Sequence, residues 1–269
     1  YQQLKDTINQ LAWDGEWYLR GTNDLGELIG SSKCEEGRIF LNAQSWAIIS
    51  GVADGERARC CMDSVKQHLA TPKGPKILHP PYTKPNSNIG LATRCVPGKK
   101  ENGAVFNHPV AWAILAEIIL GRPEQALEYY RAALPFNPVI SIDRYGVEPY
   151  VYAEYVTSPD HPTYGQASHS WLTGSSTWML RSQTDFLLGV RPDYKGLLVD
   201  PCIPRNWKEY KIIRKFRGAT YDIAVKNPHE LNRGRIRLTL DEQPLEGNLL
   251  PALSDGATHL VEATLEQGA

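Results

Sequence analysis

The chain lacks several features that would place it in a function class at once. Neither sign of charge dominates: Lys plus Arg number 29 against 30 for Asp plus Glu, a formal net charge of -1. So balanced a surface has no general field for nucleic acid or an acidic membrane, and neither is expected as a partner. The five cysteines, Cys34, Cys60, Cys61, Cys95 and Cys202, include no CxxC pair and no even framework. That argues against a disulfide scaffold or a zinc site, fits a reducing compartment, and makes a cytoplasmic location the expectation. No apolar run reaches membrane-spanning length, and the first residues carry no signal-peptide pattern. They lie directly inside a helical pattern, YQQLKDTINQLAW, which suggests a fragment of a longer chain. Phenylalanine is scarce, at five, beside seven Trp and thirteen Tyr. Rings with a polar handle suit carbohydrate sites, although most of them serve the core.

What is present reads first as helices. Residues 55–69 place Ala58, Cys61, Met62, Val65 and Leu69 on one face. Residues 109–120 are apolar nearly all round, which predicts a helix buried on every side. Pro123 opens a further helix with Ala126, Leu127, Tyr130 and Leu134 as its stripe, and residues 175–189 read as another. Trp46, Trp112 and Trp178 are spaced 66 residues apart, twice over, each in a helical run. That spacing suits successive inner helices of a toroid of helix pairs. Two long connections, 71–106 and 135–172, separate the helices and are expected to be functional. From Arg214 the period becomes two, with Tyr221, Ile223 and Val225, then Ile236, Leu238 and Leu240, around Asn232-Arg233-Gly234. A small antiparallel β appendage is predicted there.

Three stretches carry candidate chemistry. WDGEWYLRGTNDLG sets Asp14, Glu16 and Asp24 among Trp13, Trp17 and Tyr18, either a glycosidase-like pair or a helix end followed by a Gly turn and hairpin. RCVPGKKENGAVFNHPVAW crowds Arg94, Lys99, Lys100 and Glu101 ahead of His108, which stands at a helix start. A helix start favours anions through its free N–H groups, and the imidazole adds a donor; a simple cap is the plainer reading. SWLTGSSTWM places Thr173-Gly174-Ser175 before a helix, as an ordinary cap or as a hydroxyl and exposed N–H groups for an anion. Two such helix starts at one end of a toroid would make a phosphate pocket.

The runs WDGEWYLR, KENGAVFNH, EPYVYAE and SWLTGSSTW resemble, in order, the C-terminal half of glycoside hydrolase family 94, the cellobiose, chitobiose, cellodextrin and cellobionic acid phosphorylases. The resemblance covers about residues 10–205, including DPCIPRNW. It implies an all-α (α/α)6 toroid portion over residues 1–205, the C-terminal part of the catalytic barrel, followed by a β-sandwich domain over 206–269. It also implies inverting phosphorolysis, with inorganic phosphate as substrate and no metal or organic cofactor.

By the same resemblance His108, Thr173 and Gly174 bind phosphate, Lys100 and Glu101 line the sugar cleft, and Glu154 stands where relatives often have Gln against the glucosyl unit. The family's general-acid Asp belongs to an upstream motif that these residues do not contain, and Asp14 does not match it. The remaining N-terminal part of the same enzyme is therefore an expected partner, and a homodimer is among the expected assemblies. Relatives acting on neutral disaccharides tend to carry Tyr near Cys95 and Lys99. Here Arg94, Lys99 and Lys100 concentrate positive charge, which favours a leaving sugar with a carboxylate. Cellobionic acid, giving glucose 1-phosphate and gluconate, is the expected substrate. Cellobiose or another neutral β-glucoside, and a non-catalytic sugar-binding fragment, are the alternatives.

Overall fold

The computed structural model describes residues 1–268, which divide into two compact units. The first comprises Tyr1–Leu120 and Gln125–Met179; the second comprises Gly121–Glu124 and the chain from Leu180 onward. The helices are α1 (Gln2–Leu11), α2 (Leu41–Ile49), α3 (Gly55–Leu69), α4 (Asn107–Ile119), α5 (Pro123–Ala133), the short α6 (Ile142–Tyr145) and α7 (Ser175–Arg181). A π-helical stretch, Ser182–Leu187, follows α7.

In α3 the predicted face is the buried one, Ala58, Cys61, Met62, Val65 and Leu69. Glu56 lies in its first turn, and Lys66 and His68 in its last, each matching the helix dipole. In α4 the residues from Pro109 to Ala111 and from Ala113 to Ile118 are buried, so it is a core helix on all sides, as its composition requires.

The all-α expectation is wrong. Helix and strand are nearly balanced, at 29% and 25% of residues. Within the first unit the strands are β1 (Gly21–Thr22) with β2 (Leu28–Ile29), β3 (Ile39–Phe40) with β4 (Leu78–His79), and β5 (Val105–Phe106), β6 (Ala153–Val156) and β7 (Ala167–Ser170) in that spatial order. They lie mostly inside the two connections that read as loops. Strands of two to four residues are too short for a two-residue period to show in the sequence.

The second unit pairs β8 (Val190–Pro192), β9 (Gly196–Val199) and β14 (Leu249–Pro251) in the order β14-β9-β8. A five-stranded sheet runs β10 (Glu209–Phe216), β11 (Ala219–Lys226), β15 (Thr258–Glu266), β12 (Arg235–Leu240) and β13 (Gln243–Leu245). Leu197, Val199, Tyr221, Ile223, Leu238 and Val261 belong to its common core. The alternation predicted for 221–225 is present, with all three apolar residues buried. The purely antiparallel appendage needs correcting, however. β15 inserts between β11 and β12 and runs parallel to β11, pairing Tyr221 with His259 and Val225 with Ala263. A parallel neighbour requires a long crossover, and β15 supplies the strand only after β12 to β14 have been laid down.

Candidate functional site

The three-stranded sheet β5-β6-β7 positions the candidate site of the first unit. β5 runs straight into α4, so Phe106, paired with Tyr155, is followed at once by Asn107 and His108. Asn107 fixes this junction: its Nδ2 donates to the carbonyl of Ala153 at 2.7 Å. β7 pairs Ala153 with Ser170 and Tyr155 with Ser168, and then leads to Thr173 and Gly174 at the head of α7. Two segments 66 residues apart in sequence thus follow the two edge strands of one small sheet.

His108 and Gly174 are in contact. A methyl group on Gly174 would lie 3.0 Å from His108 Cε1 and 3.4 Å from Nδ1, so a side chain there would press on the ring. The imidazole also lies 4.7 Å from the Trp112 ring and 6.1 Å from that of Trp178, centroid to centroid. The predicted tryptophan series converges here: Trp46 and Trp112 are 5.4 Å apart, Trp112 and Trp178 6.1 Å, and Trp46 and Trp178 6.2 Å. Burial in this aromatic surround pushes the His108 pKa below its ordinary value, favouring the neutral ring. Thr173 Oγ1 accepts from Ser175 N at 3.1 Å, the cap geometry that the plainer reading foresaw.

Glu154 lies on β6 opposite His169, whose Nδ1 is 3.4 Å from Glu154 Oε2. His169 also contacts Ser168 Oγ at 2.8 Å and has φ of +58°, with Trp171 at +68°. Non-glycine residues in this conformation store strain, and such strain collects at binding sites. His169 was not singled out from the sequence; the short alternation ASHS in β7 was its one signal.

Buried polar atoms without a hydrogen-bond partner gather around the β5–α4 junction and β6. They are Asn107 Oδ1, His108 Nε2, Trp112 Nε1, Glu154 Oε2 and Tyr155 Oη. Native proteins leave few such groups, and each is a place where a polar ligand or water can complete the bonding.

The cationic loop before β5 is stiffly built. Asn102 is fully buried, and its amide donates to the carbonyls of Tyr82 and Cys95 and accepts from Tyr82 N, all at 2.7 Å. Gly98, at φ +76°, passes so close to the next segment that a Cβ would lie 2.6 Å from His161 N. Ser158 N donates to Gly98 O at 2.9 Å, and the Lys76–Asp160 ion pair, at 2.6 Å, anchors that segment. Arg94 and Lys99 are exposed and Lys100 is half-buried with φ of +49°. Among the described residues none of the three has a carboxylate partner. Glu101 is held only by a long contact, 3.8 Å, from Cys95 Sγ. Among the described residues no hydrogen bond or ion pair joins this loop's charged side chains to His108, Glu154, Thr173 or Gly174.

The first candidate stretch takes its structural reading. Asp14 accepts from Ser31 Oγ at 3.0 Å and from Ser32 N at 2.6 Å, and Trp17 Nε1 is shared between the carbonyls of Gly30 and Arg38 at 3.0 Å. These bonds close a turn and leave Asp14 committed to the fold.

The chain belongs to the glycosyl hydrolase 94 superfamily, whose catalytic-domain model matches residues 1–189. It is 42% identical over 250 residues to an N,N'-diacetylchitobiose phosphorylase of Vibrio proteolyticus, covering 92% of this chain and 31% of that protein. It is 39% identical over 263 residues to a solabiose phosphorylase of Paenibacillus borealis, covering 98% and 34% respectively. A cellobionic acid phosphorylase of Neurospora crassa is 35% identical over 222 residues, covering 81% and 28%. The chain therefore spans about a third of the length of these relatives.

Proposed function

We propose that the chain forms the phosphate- and leaving-sugar-binding part of an inverting disaccharide phosphorylase. The observation that carries this reading is the His108 imidazole set against Gly174, with Nε2 buried and unpartnered. An inverting hydrolase needs room for a water and a general base. An imidazole N–H and the Thr173 hydroxyl suit an anion instead. In the proposed reaction a phosphate oxygen attacks the anomeric carbon as the bond to the leaving-sugar oxygen breaks. That oxygen takes its proton from a carboxylic acid, assigned to polypeptide outside these residues. The anomeric configuration inverts, and the products are a sugar 1-phosphate and the free leaving sugar. Phosphate is a substrate, and the scheme calls for no metal or organic cofactor.

Arg94, Lys99 and Lys100 are assigned to the leaving sugar, with Glu101 beside them, and Glu154 to hydroxyls of the transferred glucosyl unit. Three unpaired cations on a stiffened loop favour a carboxylate through charge-assisted bonds, which makes cellobionic acid the preferred substrate. Likeness to a cellobionic acid phosphorylase supports this choice, and likeness to the chitobiose and solabiose enzymes makes neutral disaccharides its competitor. The chain by itself, with no general-acid motif, is expected to bind sugar without turning it over. Phosphorolysis by the full-length enzyme decides the matter: kcat/KM should favour cellobionate over cellobiose by about ten-fold or more, and preference for cellobiose would sink the assignment. Lys99→Tyr should lower the value for cellobionate by a similar factor while sparing cellobiose.

A further inference from the structure

The spacing that relates the three tryptophans relates a second set of residues, one helical turn earlier. Trp46, Trp112 and Trp178 recur every 66 residues, and so do Asn42, His108 and Gly174. Asn42 is the second residue of α2, as His108 is the second of α4, and Gly174 directly precedes α7. The tryptophan rings meet, α2 packs on α4, and Gly174 lies beside the His108 ring, which a Cβ there would approach to 3.0 Å. Asn42 thus holds in α2 the position that His108 holds in α4, one turn ahead of its tryptophan.

The hydrogen bonding of Asn42 differs from that of its neighbour Gln44. Gln44 is fully buried and fully used: its Nε2 donates to the carbonyls of Tyr18 and Phe40, and its Oε1 accepts from Tyr18 N. Asn42 Oδ1 is equally hidden but has no hydrogen-bond partner, the condition of His108 Nε2. Asn42 also lines, with Trp46 and Trp112, an open groove of about 430 Å³.

We propose that Asn42 is a further ligand-contact residue of this site, accepting a hydrogen bond from a hydroxyl of the bound sugar. Its unused atom is an acceptor. Hydrogen phosphate is mainly an acceptor, with a single P–OH, whereas every sugar hydroxyl can donate. The ligand class rests on the phosphorylase reading; the vacancy at Oδ1 does not.

The test uses the full-length enzyme. Affinity for cellobionate and cellobiose without phosphate is measured by titration calorimetry, beside the KM for phosphate and the melting temperature. Asn42→Leu should weaken sugar binding about ten-fold, with the phosphate KM unchanged. Asn42→Asp keeps an acceptor and should recover most of the sugar affinity. Asn42→Ala serves as the second deletion if leucine disturbs packing. Unchanged sugar affinity in both deletions, or an effect confined to phosphate, overturns the proposal. Sugar binding that depends on Asn42 in an enzyme without phosphorolysis would remove the proposed function and leave this inference standing. A wild-type enzyme that binds no sugar would end both.

Discussion

His108 in the first unit and His259 in the second are treated in opposite ways. His259, on β15, is bonded at both nitrogens: Nδ1 lies 2.7 Å from Asp241 Oδ2, and Nε2 lies 3.2 Å from Asp255 Oδ2. Asp241 and then Asp255 raise its pKa, so its charge is stabilised by the fold. His108 has aromatic rings and Gly174 around it, no carboxylate, and an unpartnered Nε2; burial lowers its pKa. The same side chain is a structural clip where every bond is made internally, and the proposed phosphate ligand where the fold leaves a bond open. Asp14, fully engaged by Ser31 and Ser32, falls with His259; Glu154, with Oε2 unpartnered, falls with His108.

The largest effect should come from closing the open end of this contrast. Gly174→Ala inserts a methyl group 3.0 Å from His108 Cε1, and His108→Ala removes the ring itself. His108→Ala should lower kcat/KM for phosphate in the full-length enzyme by about 10²-fold and Gly174→Ala, which shifts the ring less, by about ten-fold. Because both changes act on one contact, the double variant should fall little below the worse single one. Phosphate kinetics indifferent to Gly174→Ala would break the link between the two residues.

Much of this contrast was legible in the sequence, and the unread parts have physical reasons. The face of α3 and the burial of α4 followed from periodicity over ten residues or more, and the tryptophans were marked by their 66-residue spacing. The sheet that leads to His108 and Gly174 and carries Glu154 did not follow from periodicity, because β5 has two residues and β6 and β7 four each. His169 escaped for the same reason: it stands opposite Glu154 only once the strands are paired. β15 was missed as the parallel neighbour of β11 because its partner lies nearly forty residues earlier, beyond any local pattern. Whether Asp14 belonged to chemistry or to a turn depended on Ser31 and Ser32, which proximity alone would not have selected.

Asp14 offers the next effect in size. Asp14→Ala deletes the acceptor of Ser31 Oγ and Ser32 N and should reduce stability by about 2 kcal/mol in urea denaturation, as for hydrogen bonds to a charged group. Sugar and phosphate KM values in the full-length enzyme should be unaffected. A loss of turnover without a loss of stability would return Asp14 to the candidate catalytic residues.

The smallest effects are those of pH, and here the two histidines should differ in sign. His259 has its pKa raised above the ordinary value of 6.5, so its stabilisation is complete below that pH and disappears as pH rises through the higher folded value. Asp241 and Asp255 have theirs lowered from 3.8, so their share is present above that value and lost on strong acidification. The melting-temperature difference between wild type and His259→Gln should therefore be greatest between these limits and shrink toward alkaline pH. His108 has a lowered pKa, so the unfolded chain takes up its proton more readily and stability declines as pH falls through 6.5. His108→Phe should flatten that decline, and phosphate, by favouring the protonated ring, should do so too. An imidazole titration of His108 that moves upward on adding phosphate, while that of His259 stays in place, is the expected result. Equal movement of both would mean that phosphate screens charge generally and has no seat at His108.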